Sequence, residues 1–289
     1  MRTKEEMLDI IMSTARTDER IRAVIMNGSR VNPNVSPDIF QDFDIIYIVT
    51  EVAPFKNNYD WIARFGELMV MQEPDDMPES ATIGDNQFAY LMQFTDGNRI
   101  DLTIYPMSKL DALEEDSLSV LLLDKDGIVK PFLPPSESSY LPKPPTAKSY
   151  FNCCNEFWWV APYAAKGLWR EQITYSKHIL DDYMRKMLMK MFVWHIGINT
   201  NFSVNTGIEG KYFKKYLEPK TWEKLEKTYS DAGYHNTWES LIAMFDLFRE
   251  VAINVANHYG FTYPYDDDKR VSAHLKHVRG LPKDAKAVY

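Results

Sequence analysis

Two carboxylates two positions apart, Asp42 and Asp44, open an apolar run, Ile45-Ile46-Tyr47-Ile48-Val49. If that run is a β-strand, residues i and i+2 share one face. Side-by-side carboxylates on a half-buried face repel each other and lose hydration. A cation between them would relieve both penalties; the alternative is that both acids sit in solvent ahead of the strand. A third acid, Asp101, stands between Ile100 and Leu102 in a second strand-like run, where β-propensity disfavours it. Upstream, Arg22-Ala23-Val24-Ile25-Met26 reads as a short buried strand running into Asn27-Gly28-Ser29. Glycine at such a point lets backbone N–H groups approach a phosphate closely, and the serine hydroxyl adds a donor. Gly-Ser also ends strands for turn reasons alone. Three carboxylates on neighbouring strands can hold two divalent cations. Such a pair clamps the attacking and leaving oxygens of an in-line displacement at phosphorus. Asp42, Asp44 and Asp101 are therefore candidate metal ligands and catalytic groups.

The elements that must position these residues are legible as patterns. Thr3 and Glu6 form a capping box that opens a helix over 4–17, with Met7, Ile10 and Ile11 at helical spacing. Strands are predicted over 22–26, 42–49, 87–94 and 99–105, the last two joined at Asp96-Gly97, and a helix over 59–71. Residues 131–149 hold Pro131, Pro134, Pro135, Pro142, Pro144 and Pro145, a density that neither helix nor central strand tolerates. This stretch reads as a semi-rigid linker. Beyond it, helices are predicted over 149–170, 172–196, 219–229 and 236–259. The expected organisation is an α+β domain at 1–135 with a mixed sheet and flanking helices, the linker at 131–149, a mostly α-helical domain at 150–265, and a loosely held basic tail at 266–289.

Charge and composition narrow the function classes. The net charge of −8 is uneven: residues 1–145 carry 25 Asp and Glu against 13 Lys and Arg, and the remainder 16 against 20. An acidic first half suits divalent metals or a polycationic ligand and opposes nucleic-acid binding, which rests on phosphate neutralisation. No apolar run reaches the roughly 20 residues that span a bilayer. The start has no apolar signal-peptide core, and the only cysteines are the neighbours Cys153 and Cys154. A cytoplasmic protein without membrane or nucleic-acid partners is expected. A phosphohydrolase of the Asp-x-Asp type would want threonine where Ile46 stands, and an aminoglycoside kinase would want a His-x-Asp loop that the sequence lacks.

Gly-Ser, twelve residues, Asp-x-Asp with apolar flanks, then a third Asp between apolar residues resembles the nucleotidyltransferase pattern of the polymerase-β type. Asn27-Gly28-Ser29-Arg30, Phe40-Gln41-Asp42-Phe43-Asp44-Ile45, Asp96-Gly97-Asn98-Arg99-Ile100-Asp101-Leu102-Thr103 and Cys153-Cys154-Asn155-Glu156-Phe157-Trp158 resemble the aminoglycoside 6-adenylyltransferases, the streptomycin adenylyltransferases. The likeness runs through Lys166-Gly167-Leu168 and Trp194-His195 to about residue 260. It implies a nucleotidyltransferase domain followed by a helical one, Mg²⁺, and ATP as AMP donor. It also implies an aminoglycoside acceptor, modified on the 6-hydroxyl of streptomycin with release of pyrophosphate, which inactivates the antibiotic. By the same resemblance Gly28 and Ser29 hold the triphosphate, Asp42 and Asp44 bind the metals, and Asp101 is first choice as general base. Arg30 and Lys166 are further candidate phosphate contacts. Related kanamycin enzymes carry a base one turn before the lysine; here Pro162 stands at that place.

Three further residues are candidates for acceptor binding: Glu156 and Trp159 in an aromatic stretch, and Asp182 beside Asp181. Aromatic faces attract guanidinium groups, although core packing is the commoner fate of such rings. Other acceptors on the same fold, such as another small molecule or a protein hydroxyl, and a non-catalytic ligand-binding relative are the competing readings.

Overall fold

The structure is a computed structural model and is described here for residues 1–77 and 87–289. The chain forms two compact units, Met1–Ser139 and Tyr140–Tyr289. The proline-rich stretch straddles their border.

In the first unit, helix α1 (Lys4–Thr17) starts at the capping box: Thr3 Oγ1 accepts the Glu6 N–H and Glu6 Oε2 accepts the Thr3 N–H at 2.7 Å. Strands β1 (Ile21–Asn27), β2 (Phe43–Val49), β3 (Leu68–Gln72), β4 (Phe88–Phe94), β5 (Arg99–Pro106) and β6 (Ser119–Asp124) form one sheet in the order β3-β4-β5-β2-β1-β6. Neighbours are antiparallel except β2 and β5, which run parallel. The period-2 pattern divides the two faces. Phe43, Ile45 and Tyr47 of β2 and Ile100, Leu102 and Ile104 of β5 join Met7 and Ile11 of α1 in the larger core. The opposite face carries a smaller apolar cluster, with Ala23, Ile25, Ile48 and Tyr105 at its centre. It leaves the polar positions Asn27, Asp44 and Asp101 at one end of their strands.

The helix expected over 59–71 is only partly there. Helix α2 covers Tyr59–Ile62, a 3₁₀ turn Ala63–Phe65 follows, and Leu68–Gln72 is the edge strand β3. Gly66, at φ 132°, breaks the helix, and Met71 and Gln72 pair with Met92 and Leu91 of β4. Strand β6 went unread because its leucines suit a helix as well as a strand.

The second unit is helical: α3 (Ala147–Trp169), α4 (Ile173–His178), a π-helical turn at Ile179–Met184, α5 (Arg185–Thr200), α6 (Phe213–Tyr216), α7 (Pro219–Glu226), α8 (Tyr234–Tyr259) and α9 (Tyr265–Gly280). Its core is aromatic: the Phe157 and Phe248 rings stack at 3.7 Å, with Trp158 edge-on to Phe245 at 4.9 Å. Cys153 and Cys154 are buried there as free thiols, and burial pushes Cys154 up to about 12. Among the described residues no helix is long and apolar enough to cross a membrane.

The basic tail expected at 266–289 is instead mostly helix α9, packed on α3. Its anchor is polar, which is why apolar periodicity missed it. Asp268, 4% exposed, accepts from Arg249 at 2.5 and 2.6 Å, from Tyr263 Oη at 2.9 Å and from Ser272 Oγ at 2.9 Å. Leu275 and Val278 then close the helix onto the core.

Candidate active site

The site grows from one lateral row of the sheet. In register, Ser119 of β6 faces Asn27 of β1, Asn27 faces Asp44 of β2, and Asp44 faces Asp101 of β5. The parallel pairing of β2 with β5, rather than the β4–β5 hairpin, brings Asp101 to Asp44. Asp42 lies one residue before β2 on the same side.

Gly28 caps the end of β1 and begins a 3₁₀ turn, Gly28–Val31. Its φ is +78°, and a Cβ there would lie 2.1 Å from Asp44 Oδ2. Both facts demand glycine. The Gly28 N–H is bound to the Leu118 carbonyl at 3.1 Å, while among the described residues the Ser29 hydroxyl is free of hydrogen bonds. Arg30 is committed locally. Its Nε and Nη2 donate to the Asp42 and Gln41 carbonyls at 2.9 and 2.5 Å, and its guanidinium lies 3.6 Å from the Phe43 ring centre. Gln41 Nε2 donates to the Ser29 carbonyl at 3.1 Å. Arg30 and Gln41 thus tie the Gly-Ser turn to the strand that carries the acids.

The electrostatics are those of crowded acids with one cation. Burial, then repulsion from Asp101 and Asp42, raises Asp44 to about 6. Burial also raises Asp42, against the pull of Arg99. Arg99 Nε and Nη2 grip both oxygens of Asp101 at 2.7 and 2.8 Å, and Nε stands 3.7 Å from Asp42. Asp44 accepts no hydrogen bond among the described residues. Sequence reasoning missed Arg99, although it sits two residues before Asp101 on the same strand face. It also missed Ser119, whose hydroxyl donates to Asn27 Oδ1 at 2.9 Å.

Among the described residues no group of three or more acids, histidines or cysteines is arranged around one point as a metal cage. The donor chemistry nonetheless fits a divalent cation. A half-buried carboxylate without a partner, raised by its acidic neighbours, is relieved by added positive charge.

The other candidates lie in the second unit. Lys166 is exposed, with its ammonium 4.9 Å from the Tyr163 ring centre. Glu156 is half-buried on α3, and Trp159 is 65% exposed one turn further on. Asp182, in the π-helical turn, pairs with Lys186 at 2.6 Å. Of the candidates, the structure brings Gly28, Asp42, Asp44 and Asp101 together on one unit, with Ser29 and Arg30 in the adjoining turn.

A sheet with a Gly-Ser turn and a carboxylate row at its strand ends is the arrangement of a nucleotidyltransferase. The sequence model of streptomycin adenylyltransferase matches residues 1–278, and the chain belongs to that family. The aminoglycoside 6-adenylyltransferase of Bacillus subtilis is 41% identical over 270 residues, covering 92% of this chain and 95% of that one. That of Campylobacter jejuni is 41% identical over 271 residues, covering 93% of each. A crystal structure of an aminoglycoside 6-adenyltransferase from Bacillus subtilis, 35% identical, aligns over 97% of this chain and 100% of its own with a TM-score of 0.48.

Proposed function

We propose that the protein transfers AMP from ATP to a hydroxyl of an aminoglycoside, the 6-hydroxyl of streptomycin, and so inactivates the antibiotic. The acceptor oxygen forms a bond to the α-phosphorus, the bond from that phosphorus to the bridging oxygen breaks, and pyrophosphate leaves. The observation that carries this reading is the row Asn27–Asp44–Asp101 beside Gly28, with Asp44 unpartnered and its pKa raised. Asp42 and Asp44 would hold Mg²⁺, which supplies charge neutralisation on the phosphates. The Gly28-Ser29 turn offers the free hydroxyl to the triphosphate, and Arg30 stiffens that turn from behind. Lys166, an exposed cation on α3, is a further candidate phosphate contact.

Arg99 divides the work of the three acids. Because it occupies both oxygens of Asp101, Asp101 is the least available of them to a metal. Asp101, set beside Asp44 and less available to the metal, is the group that takes the acceptor's proton. Glu156 and Asp182 complement the positive groups of the acceptor.

Protein, ATP and Mg²⁺ incubated with a panel of aminoglycosides should give streptomycin heavier by one AMP and leave kanamycin unchanged. Chelation of the metal should stop the transfer. No adduct on any aminoglycoside would refute the reading.

A further inference from the structure

The start of strand β6 makes a contact that the chemistry above leaves unused. Ser119 is 4% exposed, and its hydroxyl donates to Asn27 Oδ1 at 2.9 Å. The residue before it holds the next step of the same turn: the Leu118 carbonyl accepts the Gly28 N–H at 3.1 Å. Leu118 is itself fixed through its N–H, which Asp116 Oδ1 accepts at 2.8 Å. Two consecutive buried residues therefore hold the Asn27 side chain and the Gly28 backbone.

The Asn27 amide is divided by this contact. Its oxygen is spent on Ser119, while its Nδ2 group donates no hydrogen bond among the described residues. Asn27 is half-buried and stands in the row between Ser119 and Asp44. Turning the amide over would set its oxygen towards the carboxylates, and like charge opposes that. A serine hydroxyl can serve either end of an amide, so the acids choose the orientation and Ser119 locks it. Asp44 nonetheless accepts nothing from Asn27. A fixed amide donor without a protein acceptor, next in the chain to the Gly28-Ser29 turn, is placed for an oxygen of a bound phosphate.

We propose that Asn27 is a catalytic residue of the adenylyl transfer and Ser119 its positioning residue: Asn27 Nδ2 donates to a non-bridging oxygen of the α-phosphate of ATP, and Ser119 Oγ holds the amide in that orientation. This inference rests on the adenylyl-transfer reading above. The non-bridging oxygens carry the charge of the phosphoryl group through an in-line displacement. A donor already aimed at them costs no reorganisation at the moment of reaction. An amide suits this place better than a cation, because a cation beside Asp44 would neutralise it and compete with the metal. Ser119 acts only through Asn27, since its hydroxyl is turned to the amide and its side chain is buried.

The test is steady-state transfer to streptomycin by the full chain, with ATP and with each α-thio diastereomer of ATP. Asn27→Ala should lower kcat about a hundredfold, the size of losing one donor to a charged transition state. KM for streptomycin should stay within about twofold, since the donor serves only the phosphate. Asn27→Asp, which keeps the acceptor for Ser119 and loses only the donor, should fall as far with its far-UV spectrum retained. Ser119→Ala should lower kcat about tenfold, a part of the donor's effect, and Ser119→Thr should restore it. Sulfur accepts hydrogen bonds poorly, so one diastereomer should be slow with the wild type. That extra slowing should shrink in Asn27→Ala and Ser119→Ala and persist in Ser119→Thr. Wild-type kcat in Asn27→Asp, or a thio effect unchanged in Asn27→Ala, would overturn the donor role alone. Wild-type kcat in Ser119→Ala would overturn the positioning. No transfer by the wild type to any aminoglycoside would overturn the adenylyl-transfer reading and this inference with it.

Discussion

Replacing Asp44 with asparagine should make the metal-free protein more stable while abolishing its chemistry. In the folded state Asp44 is raised from 3.8 to about 6. A carboxylate whose folded value lies above its unfolded one is harder to ionise in the fold, so ionisation opposes folding. The penalty is absent below pH 3.8, grows between pH 4 and 6, and is complete above pH 6. A shift of about two units corresponds to about 3 kcal/mol at roughly 1.4 kcal/mol per unit, and residual hydration of this half-buried group brings the expectation to about 2–3 kcal/mol. Asparagine is close to isosteric, and Asp44 accepts no hydrogen bond among the described residues that it would forfeit. Urea unfolding in the presence of a chelator should therefore show Asp44→Asn more stable than wild type by that amount at pH 8, with the gap closing towards pH 4. Adding Mg²⁺ should stabilise the wild type and leave the variant unmoved. An Asp44→Asn protein no more stable than wild type at pH 8, or a gap independent of pH, would refute the claim that burial and neighbouring acids load this residue.

Gly28→Ala places a methyl group 2.1 Å from Asp44 Oδ2 on a backbone with φ +78°. It should cost about 1–3 kcal/mol of stability and remove activity, read by thermal unfolding and by AMP transfer. Arg99→Met takes away the counter-charge that holds Asp42 and Asp44 down, so the acid limb of the transfer–pH profile should move to higher pH. Arg99→Lys, with the charge but not the fork, should move it less; identical profiles would deny Arg99 any influence on the acids. Asp268→Ala leaves Arg249 and the Tyr263 hydroxyl without their buried partner. It should destabilise the protein by about 3–5 kcal/mol with a fall in far-UV helical signal; a loss below about 1 kcal/mol would mean that α9 is held by its apolar residues alone.

The catalytic strands were readable because each obeys a short-range rule. Phe43–Val49 is a β-branched, largely apolar run, and Asp44 and Asp101 break an apolar pattern at positions where an idle acid would be costly. Their adjacency was not readable as such. It depends on the parallel pairing of β2 with β5, and no local signal specifies which strand becomes a neighbour. Arg99 was overlooked for a similar reason, since its value lies in the three carboxylates around it. Helix α9 was misjudged because its anchor, Asp268, is a buried charge whose partners, Arg249 and Tyr263, sit on other segments. Apolar periodicity finds helices that bury a greasy stripe, and this one adds to its few apolar contacts a buried polar anchor.

The single parallel pairing in the sheet also sets when the site comes into being. Strands β1–β2 and β4–β5 each close from nearby chain, whereas β2 ends at Val49 and β5 begins only at Arg99, and β1 meets β6 across a longer separation still. Joining distant segments is entropically slow, and here the joining step also presses Asp44 against Asp101. Pairing β2 with β5 and setting Asp44 beside Asp101 are one event. A chain in which that one pairing is out of register carries all three acids but does not juxtapose the strand pair that the chemistry needs.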